Sequence, residues 1–420
     1  MWKKPGTRLP LHAAQLVVGL YIELDMSWDD HPFFTNRFKI NSKKQLDTLA
    51  ALRVEGKLYY YPDKSSAVPP KFVPPAAPVV EEAPQAELVN EMAQQNQEKH
   101  DRRRKLQDAA ARADRAWEQA AKATREAMLG MTRTPKLAGG QLLDISRHTA
   151  KLISQGNEVL LHLLGDKEGE GPQFHALNTM TLAMLVGKSA GLNEAQLCDL
   201  ALGMLAHDIG KARIPQHILK SKTRAKHEEA FYRAHGSYGV EMAKVSEDFS
   251  PLALSIIADH HEYIDGSGWP VGKTNAGPAA RIAALVDRYD RLCSPESSER
   301  DPVMPAEALA RMFKVEAAKF DPGLLSLLIK LLGVYPPGTL VRLNDESLSM
   351  VVSPGKNALR PTVLIYSPEM TKREAPTIDL SEAADLKIEE ALRPSSLPAD
   401  VLKWMNPRQR LSYFFSTEKT

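Results

Sequence analysis

The chain has 420 residues, 43% hydrophobic and 25% charged, which is enough for two or three globular domains with one large core. A net charge of +2 sets up no global field, so a polymeric nucleic-acid partner is not expected and any anionic ligand must be gripped locally. The two cysteines, Cys198 and Cys293, lie far apart in sequence, which excludes a disulfide framework and a thiolate zinc site and points to a reduced, cytoplasmic protein.

The opening residues Met1-Trp2-Lys3-Lys4-Pro5-Gly6 lack the apolar run of a signal peptide. Apolar windows such as Leu182 to Val186 fall well short of the roughly 20 residues that span a bilayer, so no membrane insertion is expected. Residues 1–63 alternate apolar and polar positions, as in Gln15 to Ile22, and predict a small β-rich domain with regulatory character. A helix from Ser42 to Leu52, capped by Ser42, is expected within it. Residues 64–85 hold Pro69-Pro70, Pro74-Pro75, Pro78 and Pro84 and read as an extended, partly stiff linker.

Residues 86–136 are predicted as a long connecting helix, because Ala, Glu, Arg, Lys and Gln dominate and proline is absent up to Leu129. Leu106, Ala109, Ala113, Ala116, Ala120, Ala123 and Ala127 follow the 3-4 spacing of a heptad seam. Two readings stay open there: a coiled coil that joins a homodimer through residues 86–129, or a helix packed against its own domain. Residues 137 to about 335 read as consecutive amphipathic helices. Pro336 to Thr339 then leads into Leu340–Leu343 and Ser349–Val352 around Asn344-Asp345-Glu346, which predicts a hairpin closing a catalytic domain over 137–365. Residues 366–420 read as a tail with short helices. The fold class is therefore mainly α, with a small β-rich domain in front and a hairpin behind.

Histidines and aspartates recur at the ends of apolar stripes in the helical region. Asn193 and Gln196 form a capping box ahead of the stripe Leu197, Leu200, Ala201 and Met204, which carries His207 and Asp208 inward. An inward Asp beside an inward His is costly unless a cation compensates it. Ser250 and Pro251 start a second helix, with Ile256 and Ile257 on its buried face and His260-His261 one turn further along. Arg281 to Val286 brings in Asp287, with Asp290 a turn later. His235 and His175 lie on two further helices. Each feature alone is weak, but seven such side chains exceed the about four to six ligands of a single ion, and two ions sharing a carboxylate fit better.

On these residues the sequence resembles a known family. His207-Asp208-Ile209-Gly210-Lys211 is similar to the signature doublet of the HD phosphohydrolase superfamily. His260-His261-Glu262 followed by Asp265-Gly266-Ser267-Gly268-Trp269-Pro270 resembles the HHE…DGxGYP motif of the HD-GYP subgroup. The stretch from Trp28 through Ile40 resembles an accessory domain often fused ahead of HD-GYP domains. The resemblance covers about residues 5–63 and 137–365.

The resemblance implies an all-helical HD-superfamily catalytic domain that hydrolyses the cyclic dinucleotide c-di-GMP to linear pGpG, and sometimes on to GMP, by a metal-activated hydroxide. It implies metal ligation by His175, His207, Asp208, His235, His260, His261 and Asp287, with Asp208 bridging two iron or manganese ions. Asp208 and Lys211 would be the catalytic pair, Lys211 meeting a substrate phosphate. Gly266, Ser267, Gly268 and Trp269 would contact substrate, although Gly266 to Gly268 also read as a tight turn and Trp269 as a packing plug. By analogy, partners would include proteins that synthesise c-di-GMP.

Three departures stand out. Trp269 replaces the Tyr of GYP, Tyr263 stands where an Arg is common, and Gly171 stands where some members place a Glu for a third metal. Two metals are expected on that basis. The alternatives are a c-di-GMP receptor with little turnover, signalling through the N-terminal domain and helix 86–129, or an HD-superfamily hydrolase or di-iron oxygenase acting on another substrate.

Overall fold

The computed structural model describes residues 7–26, 30–33, 36–52, 54, 56–72, separate helical positions from 94 to 115, 118–154, 171–221, 223–294, 303–368, 370–372, 375–383 and 385–405. Expectations resting on Pro74 to Pro84, on Leu106, Ala109, Ala113 and Ala116, and on residues 406–420 lie outside them. The chain divides into two compact units. One takes Met1–Asp108, Leu340–Met350 and Thr362–Met405, and the other takes Ala109–Thr339 and Val351–Pro361.

The first unit begins with an antiparallel sheet of β1 (Leu9–Pro10), β2 (Tyr21–Leu24), β3 (Arg37–Lys39) and β4 (Leu58–Tyr60), in the order β1-β4-β2-β3. Helix α1 (Lys43–Ala51) starts at Ser42, whose hydroxyl accepts the Gln45 N–H, as the sequence predicts. Leu20, Ile22, Leu24, Ile40, Leu49 and Leu58 form its small core. Glu23 is buried in the sheet, where Arg8, Arg37 and the Tyr61 hydroxyl all donate to it.

The second sheet enlarges the expected hairpin. β5 (Leu340–Leu343) and β6 (Leu348–Asn357) pair in register Leu340↔Met350 around a turn in which Glu346 has φ 67°. β7 (Arg360–Ile365), β8 (Thr377–Asp379) and β9 (Ile388–Leu392) complete a five-stranded sheet, in the order β8-β7-β6-β5-β9. Residues 340–350 group with the N-terminal sheet's unit, and residues 366–405 contribute two strands and one short helix. Glu389-Glu390-Ala391-Leu392 has helix-forming character, but antiparallel pairing with β5 overrides that local preference.

The second unit is helical. Helix α2 covers 118–130, and its buried positions are Ala121, Thr124 and Ala127, while Ala123 is exposed. The described stretch of the predicted seam is thus rotated from its expected face. It packs Ala121 and Ala127, with the following Met131, into the core of its own unit. Then come α3 (Pro135–Ser154), α4 (Pro172–Ser189), α5 (Glu194–Ala206), a 3₁₀ turn (Ile209–Arg213), α6 (Gln216–Leu219), α7 (Lys226–Arg233), α8 (His235–Ser246), α9 (Pro251–Asp259), α10 (Pro278–Cys293), α11 (Pro305–Lys314) and α12 (Pro322–Leu332). The expected one-sided stripe of α5 is instead buried all round from Leu200 to Ala206, because α3, α4 and α9 enclose it. A central helix enclosed in this way delivers its C-terminal residues to the middle of the unit. No helix among the described residues is long and apolar enough to cross a membrane.

Candidate metal centre

Five helices converge their ends or inner faces on one buried point. The Asn193–Gln196 capping box starts α5 as predicted, and His207 is its C-cap, with Asp208 next. Ser250 caps α9, with Pro251 in the first turn, and His260-His261 follow its last residue. His235 opens α8, His175 lies in the first turn of α4, and Asp287 sits midway along α10. All seven predicted ligands come together, none more than 7% exposed.

The imidazoles share an orienting device. Nδ1 of His207, His235 and His260 faces the carbonyl oxygen three residues back: Met204 at 2.6 Å, Tyr232 at 2.8 Å and Ile257 at 2.9 Å. A carbonyl only accepts, so Nδ1 carries a proton in each ring and Nε2 is the nitrogen turned inward. These nitrogens meet in pairs, His175 with His207 at 3.1 Å and His235 with His260 at 3.2 Å. Asp208 stands between the pairs. Its Oδ1 lies 3.3 Å from His235 Nε2 and 3.8 Å from His260 Nε2, and its Oδ2 lies 3.4 Å from His207 Nε2 and 3.7 Å from His175 Nε2. Asp287 Oδ1 is 3.0 Å from His175 Nε2, and Oδ2 is 3.5 Å from His261 Nδ1.

Two sets of ligand atoms therefore share Asp208. Asp208, His235, His260 and His261 offer atoms within 4.8 Å of one another, and so do His175, His207 and Asp208. Asp208 Oδ1 and His261 Nε2 are buried with no hydrogen-bond partner among the described residues. Inward-facing imidazole nitrogens in close pairs, beside an unsatisfied carboxylate oxygen, are what a divalent cation compensates, and the residues fit such an ion.

Electrostatics favour the same use. Burial alone would raise the Asp208 carboxyl, but Lys211 and Arg291 hold it well below the usual carboxylate range. Arg291 and His175 do the same for Asp287 against its burial. Burial, together with neighbouring His207 and His260 respectively, pushes His260 and His261 well below the usual imidazole value. His207 is pushed up to about 9, because Asp208 and Asp287 outweigh its burial.

The loop after His261 is tightly built. A Cβ on Gly268 would lie 2.5 Å from the His261 carbonyl oxygen, so only glycine lets the loop press onto the end of α9. Asp265 Oδ1 accepts from the N–H of Ser267 at 2.9 Å and from its hydroxyl at 2.7 Å, which makes this segment a turn held by its own side chains. Trp269 stacks on His261 with ring centroids 3.8 Å apart, so one indole face is already covered. Lys211 Nζ donates to Asp208 Oδ2 at 2.8 Å. Tyr263 packs edge-on against Phe320.

Sequence reasoning did not assign three contributors. Asp290 Oδ2 is 2.7 Å from His175 Nδ1 and orients that ring as the carbonyls orient the others. Arg291 donates to both oxygens of Asp287 at 2.8 Å and to Asp208 Oδ2 at 2.9 Å. Glu262 accepts the backbone N–H groups of Val271, Gly272 and Lys273 at 2.8, 2.9 and 2.8 Å and anchors the loop. Asp290 and Arg291 lie one turn beyond Asp287, which is the one signal that could have found them.

Residues 10–141 match a family described as a domain of unknown function, DUF3391, and residues 145–324 match the HD domain family. The first match runs well past the accessory-domain resemblance. The chain is 27% identical over 385 residues to the cyclic di-GMP phosphodiesterase PA4108 of Pseudomonas aeruginosa, covering 90% of this chain and 89% of that one. It is 31% identical over 153 residues to the cyclic di-GMP phosphodiesterase response regulator RpfG of Xanthomonas campestris pv. campestris, covering 36% of this chain and 40% of the relative. Among solved structures, the HDG"Y"P protein Bd1817 of Bdellovibrio bacteriovorus is 15% identical, covering 78% of this chain and 99% of that chain with a TM-score of 0.43. The motifs and the HD match thus fall on one buried site, and the chain carries an HD domain with a DUF3391 domain ahead of it.

Proposed function

We propose that this protein is a metal-dependent phosphodiesterase that opens c-di-GMP to linear pGpG, working in the cytoplasm. The observation that carries the reading is Asp208, a buried carboxylate between two pairs of inward-facing imidazole nitrogens, with Oδ1 left without a hydrogen bond among the described residues. The relative aligned along 90% of the chain, itself named a cyclic di-GMP phosphodiesterase, supports the choice of substrate.

In this reading His175, His207, Asp208, His235, His260, His261 and Asp287 would together hold two iron or manganese ions, with Asp208 common to both ligand sets. Such ions lower the pKa of a water toward neutrality and offset charge on a phosphoryl group. The chain's own residues do the rest. The backbone carbonyls and Asp290 fix each imidazole, so ligation costs little reorganisation. Lys211, at the rim of the site with its side chain 13% exposed, meets a phosphate oxygen of the substrate. Trp269 covers the His261 ring and keeps bulk water from it. Gly171 caps α4 without a side chain that could recruit a third ion, which favours pGpG over GMP as the final product.

The test is hydrolysis of c-di-GMP by purified protein beside its His207→Ala and Asp208→Ala variants. The reading expects pGpG from the parent and loss of at least about a hundredfold in rate from each variant. Unchanged hydrolysis by the variants would sink the site assignment. Tight c-di-GMP binding with no product from metal-replete parent would make the protein a receptor instead.

A further inference from the structure

We infer that Arg291 makes the two halves of the centre unequal, so that one ion binds tightly through His235, His260, His261 and Asp208 Oδ1 while a second binds weakly beside His175, His207 and Asp287. The inference rests on the metal-centre reading proposed above and concerns how this chain's residues divide it.

The asymmetry starts at Asp208. Its Oδ2 already receives two permanent cations, Lys211 Nζ at 2.8 Å and Arg291 Nη2 at 2.9 Å. Its Oδ1 receives no hydrogen bond from the described residues. A carboxylate oxygen has about two lone-pair sites, so those of Oδ2 are both engaged and those of Oδ1 are open.

Asp287 extends the same imbalance. Arg291 Nε reaches both of its oxygens at 2.8 Å, across one turn of α10. The guanidinium stays charged at any working pH and fits a carboxylate as a rigid fork. Its side chain is only 16% exposed, so it is part of the site's wall and not a surface charge free to swing away. An ion joining His235 and His260 meets open lone pairs. An ion joining His175 and His207 must share both of its carboxylates with a fixed positive charge, and pays the repulsion of that charge.

Calorimetric titration of metal-stripped full-length protein with Mn²⁺, with elemental analysis of bound metal, tests this. The wild type is expected to take one ion tightly and a second about tenfold or more weaker. In Arg291→Ala the second ion should tighten by about tenfold or more, with the first unchanged, whereas Arg291→Lys should keep the second weak. The sign separates this from a structural role, since a misfolded or loosened site would lose both ions. Equal tight sites in the wild type, or weakening of both sites in Arg291→Ala with Arg291→Lys intact, would overturn the inference alone. Absence of any bound ion would overturn the metal-centre reading and the inference with it.

Discussion

Gly210 lies so close to His235 that a Cβ added to it would sit 1.9 Å from the His235 carbonyl oxygen. The second residue after the His-Asp doublet thus sets how near the 3₁₀ turn comes to the start of α8, and so how near Asp208 comes to His235. Gly210→Ala must push these elements apart. Overpacking of this kind costs about 1–3 kcal/mol or more. Thermal unfolding should show a lowered midpoint, and elemental analysis of the folded fraction should show reduced metal.

Asp290 holds the His175 ring through its Nδ1 at 2.7 Å and also accepts from Asn178 Nδ2 at 3.4 Å. Asp290→Asn keeps the shape but loses the charged acceptor. Metal affinity should fall by about 10–100-fold while the fold persists, as competition with a chelator would reveal. An unchanged affinity would show that the ring is oriented by packing alone.

The raised His207 value has a definite pH consequence. Free of metal, the ring keeps its proton up to about pH 9, and a metal must displace that proton to use Nε2. Affinity should therefore rise with pH from 6 to about 9 and then level off, with proton release on binding. Calorimetry in buffers of different ionisation enthalpy measures that release. Affinity that is flat across this range would mean that His207 is not a ligand.

Trp269 and His261 form a stacked pair, and Arg233 lies 5.9 Å from the indole ring. Trp269→Phe should retain most of the activity because an aromatic plate still covers the imidazole. Trp269→Ala should lose about tenfold or more in kcat/KM, with metal content little changed, since the ligand atoms themselves are untouched. Equal rates for Trp269→Ala and the parent would assign the indole to packing of the loop only.

Much of this was legible because the signals are local. Caps at Ser42, Asn193 and Ser250 sit where short-range chemistry requires them, and the ligands sit where apolar stripes end. What was not legible depends on partners far along the chain. Arg291 looks like a surface charge until α10 is packed beside α4 and α9, the two helices that carry ligands toward it. Glu390 sits in a stretch with helix-forming character, yet lies in β9 opposite Arg342 of β5, with which it also forms an ion pair at 2.6 Å. The alanine seam misled by its regularity. With Ala at 120, 121, 123 and 127, neighbouring faces of α2 are nearly equivalent in sequence, and the core of the helical unit selects the face that carries Ala121 and Thr124.

The most direct test of the central claim is product analysis of c-di-GMP incubated with one preparation in two states, chelator-stripped and reloaded with iron or manganese, with bound metal counted in each. The account predicts no product from the stripped protein and pGpG from the reloaded protein, in proportion to the metal regained. Hydrolysis that persists at full rate in the stripped protein, or metal-replete protein that yields no product, would contradict it.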